Sequence, residues 1–310
     1  MRIVFFGTAG FGIPTLRALH ERYDVAAVVT LPDTEKGRGR HPVPTPVRVA
    51  AEGLGFVVLM PGDLREPGFL DRLLSYSADL FFVVAFRILP GEVFTMPPRG
   101  TVNLHASLLP DYRGAAPINW AVINGDEETG LTTFFIEETV DTGDIITSVK
   151  VPIDPEETAG ELAGRMEIAG AGLALHTLDL IEQDSARRIR QPEGQVRPAP
   201  KLFKQDGLID WVRGARVIHN QVRGMNPAPG AYTETSRGNM KILRTRIVRE
   251  DVGGQPGFIE TASPKDGMSV SCGTGSLEIL EIQPPGKKSM IGASFVRGYR
   301  VTVGANIAAL

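Results

Sequence analysis

The sequence predicts an α/β protein in two parts, a parallel sheet with helices on both faces followed by a small β-barrel. Three observations carry that prediction. Apolar strand-like runs alternate with helical stretches through the first half of the chain, the pattern of parallel strands joined by crossover helices. One of these runs, Asp79-Leu-Phe-Phe-Val-Val-Ala85, is continuously apolar after its first residue, as in a strand buried on both faces. Beyond residue 203 the apolar segments become short and alternating, with glycine-bearing turns between them, which suits a small barrel.

In chain order, Arg2 to Phe6 reads as a buried strand, and Gly7-Thr-Ala-Gly-Phe-Gly12 as the turn into a helix from Pro14 to Glu21. The glycines are spaced G-x-x-G-x-G instead of G-x-G-x-x-G, and no acidic residue ends the second strand, Val25 to Thr30, so a dinucleotide site is rejected. Pro32 to Pro46 is too polar and too rich in Pro and Gly for a helix or a central strand, and a loop of this length is functional or disordered. A helix (Val47 to Gly53), a strand (Val57 to Leu59), a helix (Phe69 to Ser75), the buried strand and a strand over Thr101 to His105 come next. Ala115 to Asn124 suits a short helix, Leu131 to Ile136 a strand, Asp141 to Asp144 a tight loop and Ile145 to Val149 a strand. Thr158-Ala-Gly-Glu161 is a capping box, opening a helix to Gln183 whose core stripe is Leu162, Met166, Ala169, Leu173 and Leu180. Arg187 to Pro200, rich in Arg, Pro and Gln, reads as an extended linker. A helix over Asp210 to Val222 precedes strands expected at Met240 to Val248, Phe258 to Thr261, Met268 to Ser271, Leu277 to Ile282 and Arg300 to Val303.

A chain of 310 residues is long enough for two domains, and 42% hydrophobic with 22% charged residues is ordinary for a soluble globular protein. No apolar run approaches the ~20 residues of a membrane span, and the strand at Met1 lacks a signal-peptide pattern. The single cysteine, Cys272, excludes an internal disulfide and fits a reducing compartment, so a cytoplasmic location is expected. The net charge of -3 hides an asymmetry: residues 1–202 hold 19 Lys and Arg against 27 Asp and Glu, and residues 203–310 hold 14 against 9. A basic C-terminal part suits a polyanionic partner, with a merely solvated surface as the competing explanation.

Asn103 and His105 lie two apart on a strand and so share a face. An amide that donates to a carbonyl oxygen, beside an imidazole that moves a proton near neutral pH, is what acyl transfer asks for. On spacing alone, two hydrogen-bonded structural residues near a strand end are the commoner case. Asp141 suits a carboxylate that orients an imidazole and stabilises its protonated form, or else a turn residue that bonds its own backbone. No His, Cys or acidic residues show metal-ligand spacing, so no metal is expected.

The surrounding pattern is more specific. It reads His-x-Ser-Leu-Leu-Pro (His105, Ser107, Leu108, Leu109, Pro110), then Tyr-Arg-Gly-x-x-Pro (Tyr112, Arg113, Gly114, Pro117), then Asp-Thr-Gly-Asp (Asp141 to Asp144). On these residues the chain resembles the folate-dependent formyltransferases, which move a formyl group from 10-formyltetrahydrofolate to an amine. The resemblance covers nearly the whole chain. It implies a Rossmann-like parallel-sheet formyltransferase domain over residues 1–186, a linker over 187–202 and an OB-like tRNA-binding barrel domain over 203–310. It also implies that Asn103, His105 and Asp141 are catalytic, and that Ala85, Phe86, Ile88, Ser107, Leu108, Leu109 and Pro110 build the folate groove. An acceptor amine would attack the formyl carbon, Asn103 and His105 would hold the oxyanion, and Asp141 would keep the imidazole oriented. Gly37-Arg-Gly-Arg40 with the following Pro44-Thr-Pro-Val47, and Pro285-Gly-Lys-Lys288, are similar to the branch of the family that formylates initiator methionyl-tRNA for translation initiation. With the strand residues Arg244 and Arg246, this makes Arg38, Arg40, Lys287 and Lys288 the expected tRNA contacts.

Two departures stand out. Gly7-Thr8-Ala9 replaces a frequent Gly-Thr-Pro, and Ala85-Phe-Arg-Ile-Leu-Pro90 is one residue shorter than the usual Ala-Tyr-Gly-x-Ile-Leu-Pro, leaving Arg87 either to narrow the folate groove or to point outward. Three other readings stay open at this level. A nucleotide-sugar formyltransferase has less use for the Arg38 loop and the basic bias, and a glycinamide-ribonucleotide formyltransferase would lack residues 203–310. A nucleic-acid-binding module on an inactive scaffold would have no need of the intact triplet.

Overall fold

A computed structural model describes residues 1–36, 41–192, 194 and 196–310. By internal contacts the chain divides into two units, residues 1–115, 129–151 and 163–199 in one and 116–128, 152–162 and 200–310 in the other. Up to residue 199 the elements are β1 (Arg2–Gly7), α1 (Ile13–Arg22), β2 (Asp24–Val29), β3 (Thr34–Lys36), β4 (His41–Val43), α2 (Pro46–Gly53), β5 (Val58–Leu59), α3 (Pro67–Ser75), β6 (Leu80–Val84), α4 (Gly91–Phe94) and β7 (Thr101–His105). They continue with β8 (Arg113–Gly114), α5 (Pro117–Asn124), β9 (Glu128–Phe135), β10 (Ile145–Pro152), α6 (Ala159–Glu182) and β11 (Pro198–Ala199).

The first unit is built on a seven-stranded sheet in the order β10-β9-β7-β6-β1-β2-β5. The five strands from β7 to β5 run parallel and β9 runs antiparallel to β7. From β1 the chain first builds outward through β2 and β5, then returns to the other side of β1 for β6 and β7. The order therefore reverses between β1 and β6, and such sheets bind ligands at the carboxyl ends of the strands beside the reversal. All five residues of β6 are buried, as the apolar run required. Val4, Phe6, Phe69, Leu73, Phe81 and Val83 share one core cluster, and each such side chain contributes about 1.5–3 kcal/mol by leaving water.

The polar Pro32 to Pro46 segment contains β3 and β4, which pair antiparallel with each other and, among the described residues, with no strand of the main sheet. Residues 37–40, with Arg38 and Arg40, lie outside the described residues. Helix α6 opens on the expected capping box: the Glu161 backbone N–H donates to Thr158 Oγ1 (3.2 Å) and the Thr158 N–H to the Glu161 carboxylate (2.9 Å). Among the described residues no helix is long and apolar enough to cross a membrane.

Beyond residue 200 come α7 (Ala215–Gly224), β12 (Ala231–Thr235), β13 (Gly238–Arg249), β14 (Ile259–Ser263), β15 (Gly267–Ser271), β16 (Ser276–Gln283), β17 (Met290–Ile291) and α8 (Gly292–Tyr299). The strands form an antiparallel sheet in the order β12-β13-β16-β15-β14, with β17 also on β16. Register shifts along β13 and β16 mark bulges, which sharpen the twist of a small sheet. Its core gathers Trp211, Ile218, Val222, Met240, Ile242 and Phe295. Cys272 is buried there, and burial, with the nearby Glu260 charge, pushes its thiol up to about 12.

Two expectations are corrected in this unit. The helix expected from Asp210 starts at Ala215, because the Asp210 carboxylate accepts from the Val212 N–H (3.1 Å) and Gly214 is extended (φ -69°, ψ 152°). Arg300 to Val303 is not a strand: it follows α8, whose chain reversal puts Arg300 at φ 50°. Strand β12 was not foreseen at all.

Candidate active site

Strand β7 ends at His105, and the two residues expected to share a face do so at its carboxyl end. The Asn103 side chain is half-buried, and among the described residues its amide makes no hydrogen bond. His105 is only 6% exposed, and its Nε2 lies 2.9 Å from the Tyr112 carbonyl oxygen. A carbonyl can only accept, so Nε2 carries the hydrogen and, in the neutral ring, Nδ1 keeps its lone pair. Nδ1 faces Asp141 Oδ2 at 3.8 Å, too long for a hydrogen bond. Oδ2 in turn accepts from the Gly114 backbone N–H (2.9 Å). Asn103, His105 and Asp141 are thus brought together, but a backbone carbonyl orients the ring where the sequence suggested Asp141.

Two residues reach this arrangement through left-handed backbone, Tyr112 (φ 60°) and Asp141 (φ 56°), a conformation that costs a side-chain-bearing residue about 1–3 kcal/mol. Each is held from the 187–199 stretch. The Tyr112 N–H donates to the Arg197 carbonyl (2.6 Å), its hydroxyl accepts from Arg197 Nη1 (2.8 Å), and the guanidinium stacks 4.4 Å from the ring centroid. Gln191 Nε2 donates to the carbonyls of Asp141 (3.0 Å) and Gly143 (2.8 Å). Strand β11 pairs with β8, and Gly114 (φ 125°) lies so close that a Cβ there would meet the Ala199 carbonyl. A Cβ on Gly143 would likewise strike the Phe135 carbonyl. Sequence reasoning missed Gln191, Arg197 and the buried Thr132, whose hydroxyl donates to the Ser107 carbonyl (2.7 Å) and accepts from the Leu109 N–H (3.1 Å).

The expected folate residues divide into two groups. The Ser107 hydroxyl is buried and donates to the Asp111 carbonyl (2.6 Å), and Leu109 is buried, so both are spent on the loop itself, with Leu108 and Pro110 half-buried beside them. Beyond β6, Ala85 is exposed, Ile88 is 72% exposed, and Phe86 lies edge-on to Phe6 at 5.6 Å. Arg87 turns to neighbouring backbone, donating to the Gly62 (3.0 Å) and Pro61 (2.9 Å) carbonyls. A cavity of about 710 Å3 opens elsewhere, at the amino end of β7, lined by Phe94, Arg99, Phe135, Ile136, Ile181 and Arg188.

Of the expected RNA contacts, Arg244 is hydrogen-bonded to the Glu161 carboxylate and Arg246 to Glu278 (2.6 Å). Lys287 and Lys288 are exposed, and among the described residues neither pairs with a carboxylate. Among the described residues no three His, Cys, Asp or Glu side chains cluster as metal ligands.

A doubly wound sheet thus carries an amide, an imidazole and a carboxylate at its carboxyl edge, a set suited to acyl transfer. The formyl transferase family model matches residues 1–177 and the formyl transferase C-terminal domain model residues 201–300. Methionyl-tRNA formyltransferase from Porphyromonas gingivalis (strain W83 among others) is 45% identical over 312 residues, covering 97% of this chain and 97% of the relative. The enzyme of that name from Moorella thermoacetica is 44% identical, covering 98% of each chain. The chain belongs to the methionyl-tRNA formyltransferase family. The fold recurs in the crystal structure of WlaRD, a sugar 3N-formyl transferase in the presence of dTDP and 5-N-formyl-THF, with TM-score 0.69, 19% identity and coverage of 93% of this chain and 99% of that one. HypX from Aquifex aeolicus in complex with tetrahydrofolic acid matches with TM-score 0.64 and 16% identity, over 98% of this chain and 48% of its own, so this chain spans about half of HypX.

Proposed function

We propose that this enzyme transfers the formyl group of 10-formyltetrahydrofolate to the amino group of methionine on initiator methionyl-tRNA, supplying translation initiation in the cytoplasm. The observation that carries the chemistry is one strand face holding an Asn103 amide two residues from an imidazole whose Nδ1 faces Asp141 at 3.8 Å, the amide and Nδ1 both free of hydrogen bonds among the described residues. Residues 1–186 carry the reaction, 187–202 connect, and 203–310 meet the RNA. The exposed Ile88 and the half-buried Phe86, just past the end of the strand beside Asn103, suit a flat ring system, so they are the residues that would hold the folate, which supplies the activated formyl group.

His105 Nδ1 takes the proton of the acceptor amine as its nitrogen bonds to the formyl carbon. The resulting imidazolium is opposed by the Asp141 carboxylate, itself fixed by the Gly114 N–H. The oxygen that gains negative charge accepts from the half-buried Asn103 amide, whose donors, among the described residues, are unspent. The bond to the donor nitrogen then breaks, and the proton held on His105 goes to that departing nitrogen.

The direct test is formyl transfer to methionyl-initiator tRNA with a UDP-amino-sugar as competing acceptor and His105→Ala as control. Turnover on the charged tRNA alone, lost in the control, is the expected result. Turnover on the sugar alone would discard the acceptor and keep the mechanism, and no turnover on either would discard the reaction.

A further inference from the structure

Gln191 is 5% exposed, and every hydrogen-bonding position of its side chain is used. Its nitrogen donates to the Asp141 and Gly143 carbonyls, and its oxygen accepts from Arg113 Nε (3.2 Å) and Nη2 (2.6 Å). The amide has one workable orientation, since a flip would set its oxygen against two carbonyls and its nitrogen against a guanidinium. Through these four bonds it joins the Asp141 loop to Arg113, and Arg113 is followed by Gly114, whose N–H holds the Asp141 carboxylate. Both ends of the Asp141 geometry, its left-handed backbone and its carboxylate, are therefore tied to one buried amide 50 residues away in sequence.

We propose that Gln191 is a positioning residue for formyl transfer, fixing the Asp141 carboxylate against His105 through the carbonyls of Asp141 and Gly143. The inference rests on the functional reading above, in which Asp141 opposes the imidazolium. It assigns a share of the site to a stretch whose composition reads only as a linker. Gln191 touches no reacting atom, so its removal alters how fast the reaction runs and leaves substrate affinity in place.

The full-length protein tests this with Gln191→Glu, Gln191→Met, Asp141→Asn and the corresponding doubles. Gln191→Glu keeps an acceptor for Arg113 but sets a carboxylate oxygen against two carbonyls, and Gln191→Met keeps the shape of the side chain without its hydrogen bonds. Misplacing a catalytic group by an ångström costs up to about 100-fold, so both variants should lower kcat by about 10–100-fold while KM for the folate and for the charged tRNA stays within about twofold. In the Asp141→Asn background the same changes should cost nothing further, because residues acting through one another are not additive. If Gln191→Glu fails to fold by circular dichroism, the cycle is read from Gln191→Met alone. Three results overturn the inference: full kcat in the Gln191 variants while Asp141→Asn is slow, a loss confined to KM, or costs that multiply in the doubles as a merely structural role would give. Normal turnover in Asp141→Asn itself would instead remove the reading beneath it, and the inference with it.

Discussion

Each unit buries a histidine against a backbone carbonyl, and the two differ in what the second ring nitrogen meets. His105 gives Nε2 to Tyr112 and leaves Nδ1 facing a carboxylate beyond hydrogen-bond distance. His219, 3% exposed on α7, spends both nitrogens: Nδ1 lies 3.0 Å from Thr245 Oγ1 and Nε2 3.3 Å from the Pro155 carbonyl, with Glu156 at 3.9 Å. Burial, opposed by the Pro155 carbonyl and Glu156 and reinforced by Arg223 and Arg216, holds His219 below its ordinary 6.5. Burial and a nearby acid are therefore common to both, and in the reading proposed above it is an open nitrogen, beside an amide unspent among the described residues, that makes one site reactive and leaves the other structural.

The sharpest break in that comparison is Asn103→Ala against His219→Gln. Loss of an oxyanion donor costs ~100 to 1,000-fold in turnover, so Asn103→Ala should bind folate and transfer formyl slowly, whereas His219→Gln should stay near the parent rate in single-turnover assays. Comparable rates in the two variants would erase the distinction. Gly143→Ala comes next, because its methyl would collide with the Phe135 carbonyl and displace the loop that carries Asp141. We expect a fall of about 10–100-fold in kcat, accompanied by about 1–3 kcal/mol of lost stability from overpacking, read from kinetics and urea titration together.

His219 supplies a smaller effect with a definite sign. In the unfolded chain it takes up a proton at its ordinary 6.5, and in the folded chain only at lower pH. Between those points the unfolded state binds more protons, so the contribution of His219 is complete above 6.5 and is lost as pH falls toward its folded value. Urea midpoints taken downward from neutral pH should fall less steeply in His219→Gln, and parallel curves would remove the assignment. Smallest is the pair Lys288→Ala and Arg246→Ala. The first removes a cation that, among the described residues, pairs with no carboxylate, and should flatten the salt dependence of tRNA binding by about 0.7–0.9 in log–log slope. The second removes a guanidinium already committed to Glu278, so it should change that slope less and stability by about 0–1 kcal/mol.

How much of this was legible follows from where the information sits. The buried strand β6, the strand ending at His105 and the capping box of α6 were readable because periodicity and caps are local. Asn103 and His105 could be paired from a spacing of two, and Asp141 from its loop and the resemblance. Tyr112 could not be assigned its part, since a backbone carbonyl has no residue type, and Thr132 and Gln191 act across 25 and 50 residues of sequence. In the second unit a four-residue alternation at Arg300 to Val303 imitated a strand, while Gly292 and Gly298 disguised the helix before it.

Cys272, deep in the second unit with its thiol at about 12, is hardly ever the thiolate that maleimides and iodoacetamides attack. Since it is the chain's single cysteine, the protein is ready for site-directed labelling without a cysteine-free background. A Lys288→Cys variant carrying one fluorophore would report the docking of charged tRNA by its anisotropy, with unlabelled parent protein as its own blank.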